Sequence, residues 1–500
     1  MRSKLFGVLL FIEAAALAIT AGVSFYYNSV ADETDLNCFL IPAAACLVLG
    51  TVLYLLGIRK NSRPLRLKDS FQVVTFSWVV FSAFGMIPFL LYGTIDNVSD
   101  AFFETMSGFS TTGATVIENI DSQPHGILFW RSLMQWLGGL GIVVFTLAFI
   151  PSIAKGSKKM VLFAAEAPGL SVEKLSPKMQ NTARSLWIIY IILTAMCAFC
   201  YWLGNMSVFD AVCHALTTVA TGGFSTHQAS IGYFQSSYIE YICSLFMILS
   251  GINFAIYHFA FTRRFDLVFR NEEFRCYIQM ILVSVVIFFC LFQFAGNFNA
   301  VTEEQLAGMP QNWQDKLRTS LFHVATLLSN TGYQAENFNY DSWGLMFLVI
   351  TFFLMITGGC AGSTSGGIKV IRIIVLYKYM KMAVKECIHP TGMYILKISK
   401  QPVETSSVRQ VCIFFSLFIL VFMGNMVLLS AAGLSLNDSM SAFLTCFSNF
   451  GPGSGLTGPD GTFAAVPAAA KWILSLDMLL GRLEIFTVFM LFTRNFWKSL

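Results

Sequence analysis

The chain has 500 residues, of which 56% are hydrophobic and only 12% are charged, whereas soluble domains carry about 25% charged residues. Its mean hydropathy is +0.66 and its formal net charge is +4. These values exclude an ordinary soluble enzyme and indicate an integral membrane protein with several transmembrane helices.

Long apolar runs predict ten membrane spans. The first is read as a retained helix, because its apolar run is too long for a cleaved signal peptide. The runs cover residues 5–27, 37–58, 71–93, 126–152, 182–205, 238–262, 277–296, 343–383, 410–432 and 472–494. Four shorter segments between them cannot cross a bilayer of about 30 Å and are predicted to be re-entrant. They cover residues 98–112, 209–222, 318–331 and 437–450.

Basic residues set the orientation of these elements. They cluster in 59–68, 155–159, 263–275, 369–385 and 494–498, and loops rich in Lys and Arg face the cytoplasm. The opposite loops carry the acidic segments "ADETD" (31–35), "ENID" (118–121) and "TEEQ" (302–305). The four short segments are therefore predicted to enter the membrane from the outside.

The short segments belong to an internal repeat. Each ends in a polar stretch around one glycine, and the intervals between these glycines are 110, 109 and 119 residues, a domain-sized period. The aligned glycines are Gly113, Gly223, Gly332 and Gly451. A second glycine mark follows in the next long span of each repeat, as "WLGGLG" (136–141), "ILSGIN" (248–253), "ITGGCAG" (356–362) and "LLGRLE" (479–484).

This pattern predicts an all-α membrane protein with four pseudo-repeats of helix, re-entrant pore loop and helix around a central pore, plus two extra N-terminal transmembrane helices. The predicted units are 1–68 for the extra helices and 69–160, 161–275, 276–400 and 401–500 for the repeats. A duplicated helix pair without a pore is the alternative, but it leaves the polar loops unexplained.

Four non-helical loops at membrane depth indicate a cation pathway. Such backbone is tolerated only where protein buries it or water wets it, and rings of backbone carbonyls can replace the hydration shell of a monovalent cation. Glycine permits the positive φ that such loops need. Acidic residues near the segment starts either add negative charge there or cap the half-helices; they are Asp100, Glu104, Asp210 and Asp438. His214 and His323 are expected to pack or hydrogen-bond and not to bind metal.

The loop sequences "STTGAT", "ATGGFST", "SNTGY" and "NFGPG", with "TGGCAGSTSGGIKVIR" (357–372), resemble the Trk/Ktr/HKT superfamily of potassium transporters over essentially the whole chain. The two extra helices make the chain most similar to its bacterial TrkH-type uptake subunits. The resemblance implies a K⁺-selective filter whose residues are Thr111, Thr112, Gly113, Thr221, Gly222, Gly223, Asn330, Thr331, Gly332, Asn449, Phe450 and Gly451.

The same resemblance implies a homodimer in the bacterial inner membrane, with a cytoplasmic nucleotide-binding regulatory partner of the TrkA type. K⁺ is then the transported ion, and no organic cofactor or nucleic-acid partner is expected. Gly113 favours K⁺, because serine at the first filter glycine accompanies sodium transport in plant relatives. The fourth loop, "SNFGPGSG", departs most from the pattern of potassium channels.

The segment "GGCAGSTSGG" (358–367) cannot continue a regular helix, because five of its ten residues are glycine and each interior glycine costs about 1 kcal/mol relative to alanine. By resemblance it is an intramembrane loop that obstructs the pore below the filter and moves on opening; a passive kink is the alternative. The residues assigned to the gate are Gly358, Gly359, Gly362, Ser363, Thr364, Ser365, Gly366, Gly367, Lys369 and Arg482.

Arg482 lies inside the last predicted span and has no acidic residue three or four positions away. A charge near midspan costs about 2.5–3.5 kcal/mol on insertion scales unless it is paired or hydrated. It is therefore expected to face water in the pore, as a brake on cations, or a partner on another helix, as a structural salt bridge. The sequence leaves both roles open.

Two other classes of function, a symporter and a hydrolase, could use parts of this sequence. An alternating-access cation or solute symporter is the main alternative, because broken helices serve such proteins too, but it predicts inverted repeats. Here each repeat is predicted to begin and end on the cytoplasmic side. A membrane-embedded hydrolase would need Ser363 or Ser365 near His323, which the predicted orientation places on the opposite side. The chain is therefore not expected to be an enzyme.

Overall fold

The computed structural model describes residues 2–59, 67–139, 141, 179–297, 302–335, 343–392, 394–459 and 461–498. Helices dominate these residues, as the apolar runs predict. The end of the predicted span 126–152, the basic residues at 155–159 and the predicted boundary after residue 160 lie outside the described residues.

Two long helices precede the repeats, as predicted. Helix α1 spans Arg2–Ala31 and α2 spans Leu36–Arg59. Gly7 permits their close packing, because a Cβ atom there would lie 2.6 Å from the Gly50 carbonyl oxygen. Apolar side chains cover both helices on most sides, which suits elements that face lipid as well as protein.

Repeats 1 and 2 follow in chain order. Repeat 1 contains α3 (Leu67–Gly85), α4 (Ile87–Tyr92), α5 (Val98–Phe109) and α6 (His125–Gly139). Repeat 2 contains α7 (Met179–Leu203), α8 (Val208–Val219), α9 (Ser237–Ser250) and α10 (Phe254–Phe261). A short helix α11 (Phe265–Arg270) leads to the next repeat.

Repeats 3 and 4 have the same element order. Repeat 3 contains α12 (Glu272–Phe294), α13 (Glu303–Ala307), α14 (Trp313–Ser329), α15 (Leu345–Ile356) and α16 (Val370–Ile388). A small antiparallel hairpin then pairs Lys397–Ile398 with Gln401–Pro402. Repeat 4 contains α17 (Thr405–Ala431), α18 (Leu436–Ser448), α19 (Ala468–Arg482) and α20 (Phe486–Phe492), and the short helix α21 covers Arg494–Lys498.

Helices α5, α8, α14 and α18 are the predicted re-entrant segments and are called half-helices here. They have 12, 12, 17 and 13 residues, and 12 residues of α-helix reach only about 18 Å. Ser207 and Ser435 cap α8 and α18, since each side-chain oxygen accepts from a backbone N–H, that of Asp210 at 3.0 Å and that of Asp438 at 3.1 Å. The two aspartates lie in the first turn and accept from the hydroxyls of the capping serines at 2.7 and 2.6 Å, so they are first-turn charges next to a serine cap.

Six described helices are long and apolar enough to cross a membrane, and the bent pair α9–α10 adds a seventh span if it is counted as one. The chain is a multi-span membrane protein. The other predicted spans are 126–152, which continues outside the described residues, and the runs 343–383 and 472–494, each of which forms two helices. The unbroken spans predicted at 238–262 and 472–494 are therefore wrong in detail.

Each described break lies at a second glycine mark of the repeat. Helices α9 and α10 meet at 93°, where Gly251 ends one helix and Asn253 caps the next by accepting from the Ala255 N–H at 2.8 Å. In repeat 4, Glu484 and Ile485 adopt φ values of 57° and 50° between α19 and α20. Positive φ is an outlier for a β-branched residue. The glycine marks thus predict where the helix fails but not the geometry that follows.

One apolar core joins all four repeats. Its largest fully buried side chains include Trp78, Trp130, Trp187 and Trp343. The outer surface is apolar as well. In the most apolar stretch of 18 residues in α17, only 11% is buried inside the protein. A soluble protein does not leave such a face in water, so lipid or another membrane-embedded surface covers it.

Candidate functional site: four glycine loops and an intramembrane loop

Every half-helix ends in the same way. The segments 111–113, 221–223, 330–332 and 449–451, called the glycine loops here, each begin and end with a residue of positive φ. The first positions have φ values of 53–57° and are Thr111, Thr221, Asn330 and Asn449. The third positions have φ values of 80–99° and are Gly113, Gly223, Gly332 and Gly451. The predicted need for glycine at positive φ is confirmed at all four.

Hydrogen bonds explain why the first turn repeats. The backbone N–H of the middle residue reaches the carbonyl oxygen five residues earlier, for example from Thr112 to Ser107 at 2.9 Å and from Thr331 to Thr326 at 3.0 Å. The residue before it also donates to the carbonyl three residues earlier, as in Thr111 to Gly108 at 3.1 Å. This is a Schellman ending, which requires a left-handed residue directly after the helix.

The four glycine loops close into a ring. Each glycine lies against the carbonyl oxygen of the residue that precedes the next glycine, too close for a Cβ atom. The contacts are Gly113 with Gly222, Gly223 with Thr331, Gly332 with Phe450, and Gly451 with Thr112. The last contact joins repeat 4 to repeat 1. All twelve residues assigned to the filter from the sequence are thus brought together around one centre.

Two polar side chains that sequence analysis missed hold this ring. Gln135 on α6 donates from Nε2 to the Gly222 carbonyl at 2.6 Å, and its Oε1 accepts from the Phe224 N–H at 3.0 Å. Arg131, one turn earlier, forms a buried ion pair with Glu104 at 3.0 Å and donates to the Ser225 carbonyl at 3.2 Å. Sequence analysis could have found Arg131 and Gln135, because each is a polar residue inside an apolar run.

A cavity of about 70 Å³ lies against the ring, and all four loop glycines line it. Arg131 and His227 also line this cavity. Two of the acidic residues for which the sequence left added negative charge or capping open are compensated, since Glu104 pairs with Arg131 at 3.0 Å and Asp100 pairs with Lys471 at 2.8 Å. Any preference for cations therefore has to come from backbone carbonyls and helix ends more than from these carboxylates.

His227 joins the outer loops of repeats 1 and 2. Its Nδ1 lies 3.0 Å from Asp121 Oδ1 and its Nε2 lies 3.5 Å from Asp210 Oδ1, and its ring stacks on Tyr233 with centroids 3.5 Å apart. Burial disfavours the charged imidazole, but the hydrogen bonds and charges of the two aspartates outweigh it and raise the pKa of His227. His227 thus links the outer loops of repeats 1 and 2.

His214 and His323 have the structural roles expected from the sequence. His214 is buried and hydrogen-bonds through Nε2 to Ser225 Oγ at 3.0 Å, and His323 does so to Thr351 Oγ1 at 2.9 Å. Ser363 donates within its own loop, to the Cys360 carbonyl at 2.6 Å. Ser365 donates to Asn330 Oδ1 at 3.2 Å, so Ser363 and Ser365, the serines that the hydrolase alternative names, have hydrogen-bond acceptors other than His323.

The predicted break in repeat 3 is a loop of residues 357–369 between α15 and α16, called the intramembrane loop here. Its two ends pair at a neck, where Gly358 N–H reaches the Ile368 carbonyl at 2.9 Å and Ile368 N–H reaches the Ile356 carbonyl at 2.8 Å. The loop returns to its starting point, so the end of α15 and the start of α16 lie close together although the helix is interrupted.

The intramembrane loop binds the ends of three half-helices. Thr364 Oγ1 donates to the Val219 carbonyl at 3.0 Å at the end of α8, and Gly367 N–H donates to the Ser448 carbonyl at 2.9 Å at the end of α18. Ser365 Oγ donates to Asn330 Oδ1 at 3.2 Å, directly after α14. The loop therefore lies immediately behind the glycine loops, against the negative ends of the half-helix dipoles.

Further contacts attach the loop to the rest of repeat 2 and to α12. Cys360 N–H donates to the Gly251 carbonyl at 2.9 Å, and Phe254 N–H donates to the Gly362 carbonyl at 3.0 Å, so the loop fills the break between α9 and α10. Ala361 N–H donates to Glu273 Oε1 at 2.6 Å. Lys369 folds back onto the loop and donates to the Ser365 carbonyl.

Arg482 connects the loop to repeat 1. Its guanidinium donates to the Thr364 carbonyl at 2.8 Å and to the Gly138 and Gly139 carbonyls at 2.6 Å each. The expected partner on another element is thus present. The sequence analysis offered water or a salt bridge as the partner of Arg482, whereas these three acceptors are backbone carbonyls. Through Arg482 the intramembrane loop reaches all four repeats.

Comparison with known proteins gives a concordant result. Residues 36–499 match the family model of TrkH, described as a cation transport protein. The chain belongs to the TrkH family. The family resemblance drawn from the loop motifs is confirmed.

Several members of the TrkH family are similar to this chain over nearly its full length. The Trk system potassium uptake protein TrkH of Salmonella typhimurium is 34% identical over 99% of both chains. The protein of that name from Halomonas elongata is 38% identical over 93% of this chain and 92% of its own. The crystal structure of the potassium transporter TrkH from Vibrio parahaemolyticus matches with a TM-score of 0.85 and 33% identity, covering 99% of each chain. The predicted fold class is confirmed, whereas the predicted unit boundaries stay predictions.

Proposed function

We propose that the chain carries K⁺ into the bacterial cell across the inner membrane, through a pore at the four glycine loops. The observation that carries this proposal is the closed ring of glycine contacts, in which each repeat contributes one segment with the same backbone conformation. The names of the similar proteins, which are potassium uptake proteins, support K⁺ as the ion.

The glycine loops would act as the selectivity filter. K⁺ must lose water to pass a narrow ring, and backbone carbonyl oxygens can replace that water without a formal negative charge. The carbonyls at the centre come from residues whose side chains are buried in the protein, such as Thr112, Thr331 and Phe450. The Gly222 carbonyl accepts from Gln135, so repeat 2 would contribute to ion binding differently from the others.

The intramembrane loop would act as the gate. It lies behind the ring and is hydrogen-bonded to half-helix ends and to Arg482. To open, it must exchange these bonds for others, and each neutral hydrogen bond contributes about 0.5–1.5 kcal/mol. The loop would therefore move only when another event, such as the binding of a partner, offsets the loss of these bonds.

Arg482 would add an electrostatic brake. A guanidinium about 6 Å from a K⁺ ion repels it by roughly 3 kcal/mol at an effective dielectric constant near 20. Its three carbonyl acceptors hold the charge in place beside the loop. The same bonds also join repeats 1, 3 and 4, so the braking and structural roles are both compatible with the geometry.

We further expect a homodimer and a cytoplasmic nucleotide-binding regulatory subunit of the TrkA type. The names of the similar proteins refer to a Trk system. The basic residues Arg263, Arg264, Arg270 and Arg275 are exposed on the predicted cytoplasmic side. They offer a surface to which an acidic face of such a partner could dock.

Growth of a strain without its own potassium uptake systems tests the proposal. Expression of the chain, with the partner supplied, should restore growth on low K⁺, and Gly113→Ser should lower the preference for K⁺ over Na⁺. Deletion of residues 360–366 should raise K⁺ flux, since the neck pairing of Gly358 with Ile368 holds the cut ends together. Failure of the intact chain to restore growth, with the partner present, would contradict uptake.

A further inference from the structure

We propose that Asn330 is a positioning residue through which the intramembrane loop controls ion selectivity in repeat 3. The inference rests on the proposed function, since it assigns a filter role to residues 330–332 and a gating role to the loop. It adds that the two are coupled by one side-chain hydrogen bond, so that moving the loop changes which ions the ring accepts.

Asn330 lies where the loop and the ring meet. It is fully buried and has a left-handed backbone with φ of 55°, directly before Thr331 and Gly332 of the ring. Its Nδ2 donates to the Met355 carbonyl at the end of α15 at 2.7 Å, and its Oδ1 accepts from Ser365 Oγ at 3.2 Å. The side chain thus links the glycine loop of repeat 3 to the end of α15 and to the intramembrane loop.

Ser365 also takes part in the contact between the intramembrane loop and the ring. Its hydroxyl donates to Asn330 and accepts from the Gly359 N–H at 2.8 Å, which links both arms of the intramembrane loop. The amide oxygen of Asn330 fits between two glycines of the neck, since Cβ atoms at Gly358 and Gly367 would lie 3.1 and 3.0 Å from it. The loop cannot leave its site without breaking this contact.

The equivalent position in repeat 4 behaves differently. Asn449 has the same backbone conformation, with φ of 53°, but its Nδ2 donates to Thr112 Oγ1 at 2.9 Å and to the Met478 carbonyl at 3.1 Å. Its Oδ1 has no hydrogen-bond partner among the described residues. Repeats 1 and 2 have threonine there, Thr111 and Thr221. The side-chain bond from a glycine loop to the intramembrane loop is therefore a feature of repeat 3.

Loss of this bond has a defined consequence for the ring. A left-handed conformation is costly for most residues, although asparagine tolerates it. Here the side-chain bonds to Met355 and Ser365 hold the residue in place. Without Ser365, the amide oxygen of Asn330 is buried and unsatisfied, so the turn before Thr331 gains freedom. A looser third segment holds a dehydrated K⁺ less specifically and discriminates less against Na⁺.

Uptake of Rb⁺ and Na⁺ by cells that lack their own potassium uptake systems tests this coupling. Ser365→Ala should raise the Na⁺/Rb⁺ uptake ratio by about threefold to tenfold, the range that one neutral hydrogen bond supports. Ser365→Thr retains the hydroxyl and should restore the original ratio. Ser244→Ala is the matched control, because Ser244 is a buried serine outside the filter and the gate whose hydroxyl donates to the Glu240 carbonyl of its own helix at 2.7 Å, and it should leave the ratio unchanged.

A double substitution tests the specific pair. Asn330→Thr copies repeats 1 and 2 and should change the ratio as Ser365→Ala does, while the two together should change it no further. If Ser365→Ala does not reach the membrane, the uptake ratio of Asn330→Thr is compared with that of the original chain. An unchanged ratio in these variants, or an equal change in Ser244→Ala, overturns the coupling while uptake by the intact chain upholds the proposed function. No uptake by the intact chain overturns both.

Discussion

The glycine loops and the helix breaks of the same repeats differ in how closely the four copies agree. The four loops share their φ values within 4° at the first position, 53–57°, and within 19° at the third, 80–99°. The described breaks agree less closely: repeats 2 and 4 interrupt their helices for three residues, at 251–253 and 483–485, whereas repeat 3 does so over residues 357–369.

The difference follows from what each region has to do in the proposed pore. A ring that replaces a hydration shell needs equivalent contributions from every side, so the same backbone conformation recurs. An obstruction below the ring is needed once, and copies in the other repeats would compete for the same space. The loop accordingly fills the break of repeat 2 and donates hydrogen bonds to carbonyl groups at the ends of the surrounding helices.

The largest expected effect comes from breaking the equivalence of the ring. In Gly223→Ala, the new methyl group would overlap the Thr331 carbonyl oxygen, so we expect potassium-dependent growth to fall to background. Gly93→Ala is the control, because Gly93 has nearly the same φ, 83° against 80°, but has no neighbour within 4 Å of a Cβ atom. Both carry a backbone cost of about 1–2 kcal/mol, and equal growth defects would contradict the importance of the ring contact.

A smaller effect is expected from a change at Arg482, which contacts the intramembrane loop. Arg482→Ala removes a positive charge and three hydrogen bonds to the Thr364, Gly138 and Gly139 carbonyls. We expect cation flux through the purified protein in liposomes to rise by about tenfold or more, from the repulsion of roughly 3 kcal/mol that the charge exerts. Arg482→Lys retains the charge and should keep the flux low. Unchanged flux together with poor membrane accumulation of Arg482→Ala would favour the structural role.

The smallest effect concerns the outer side of the ring. His227 has a raised pKa because Asp210 and Asp121 outweigh the opposing effect of burial, so its charged form stabilises the folded protein. This contribution is complete below the unfolded pKa of about 6.5 and is lost as the pH rises through the higher folded pKa. The melting temperature in detergent should therefore decrease between pH 6 and pH 9.

His227→Gln is the matched variant for this measurement, and it should remove part of that pH dependence. The change should correspond to about 1 kcal/mol or less, because Asp121 is half exposed and such pairs are weak. If the melting temperature of the variant depends on pH as that of the original chain does, the contacts of His227 between repeats 1 and 2 contribute nothing measurable to stability.

Most of the site could be predicted because its signals are local. A half-helix of 12–17 residues, a left-handed turn and a glycine are properties of short segments, and their repetition at about 110 residues makes them visible in one sequence. The helix-breaking loop at 358–367 is visible for the same reason. Asp100, Glu104, Asp210 and Asp438 were harder to interpret, because whether a carboxylate is free or paired depends on residues far away in the chain.

The contacts that were missed all join distant segments. Gln135 binds a carbonyl 87 residues away, Arg482 binds Gly138 from 344 residues away, and Ser365 reaches Asn330 across 35 residues. A polar residue in an apolar run indicates that some partner exists, since an unsatisfied group in the membrane costs several kcal/mol. It does not indicate which partner, because many carbonyls could serve.

The amino-acid sequence by itself determined that this is a multi-span membrane protein with four related units, each carrying a glycine where a positive φ is needed. Those properties follow from hydropathy, chain period and backbone sterics, which act within a segment. Tertiary structure decided that the four glycines meet in one ring, that the acidic residues near it are paired, and that one loop reaches all four repeats. These depend on how helices pack against one another, and packing selects one set of contacts from many that are chemically equivalent in the sequence.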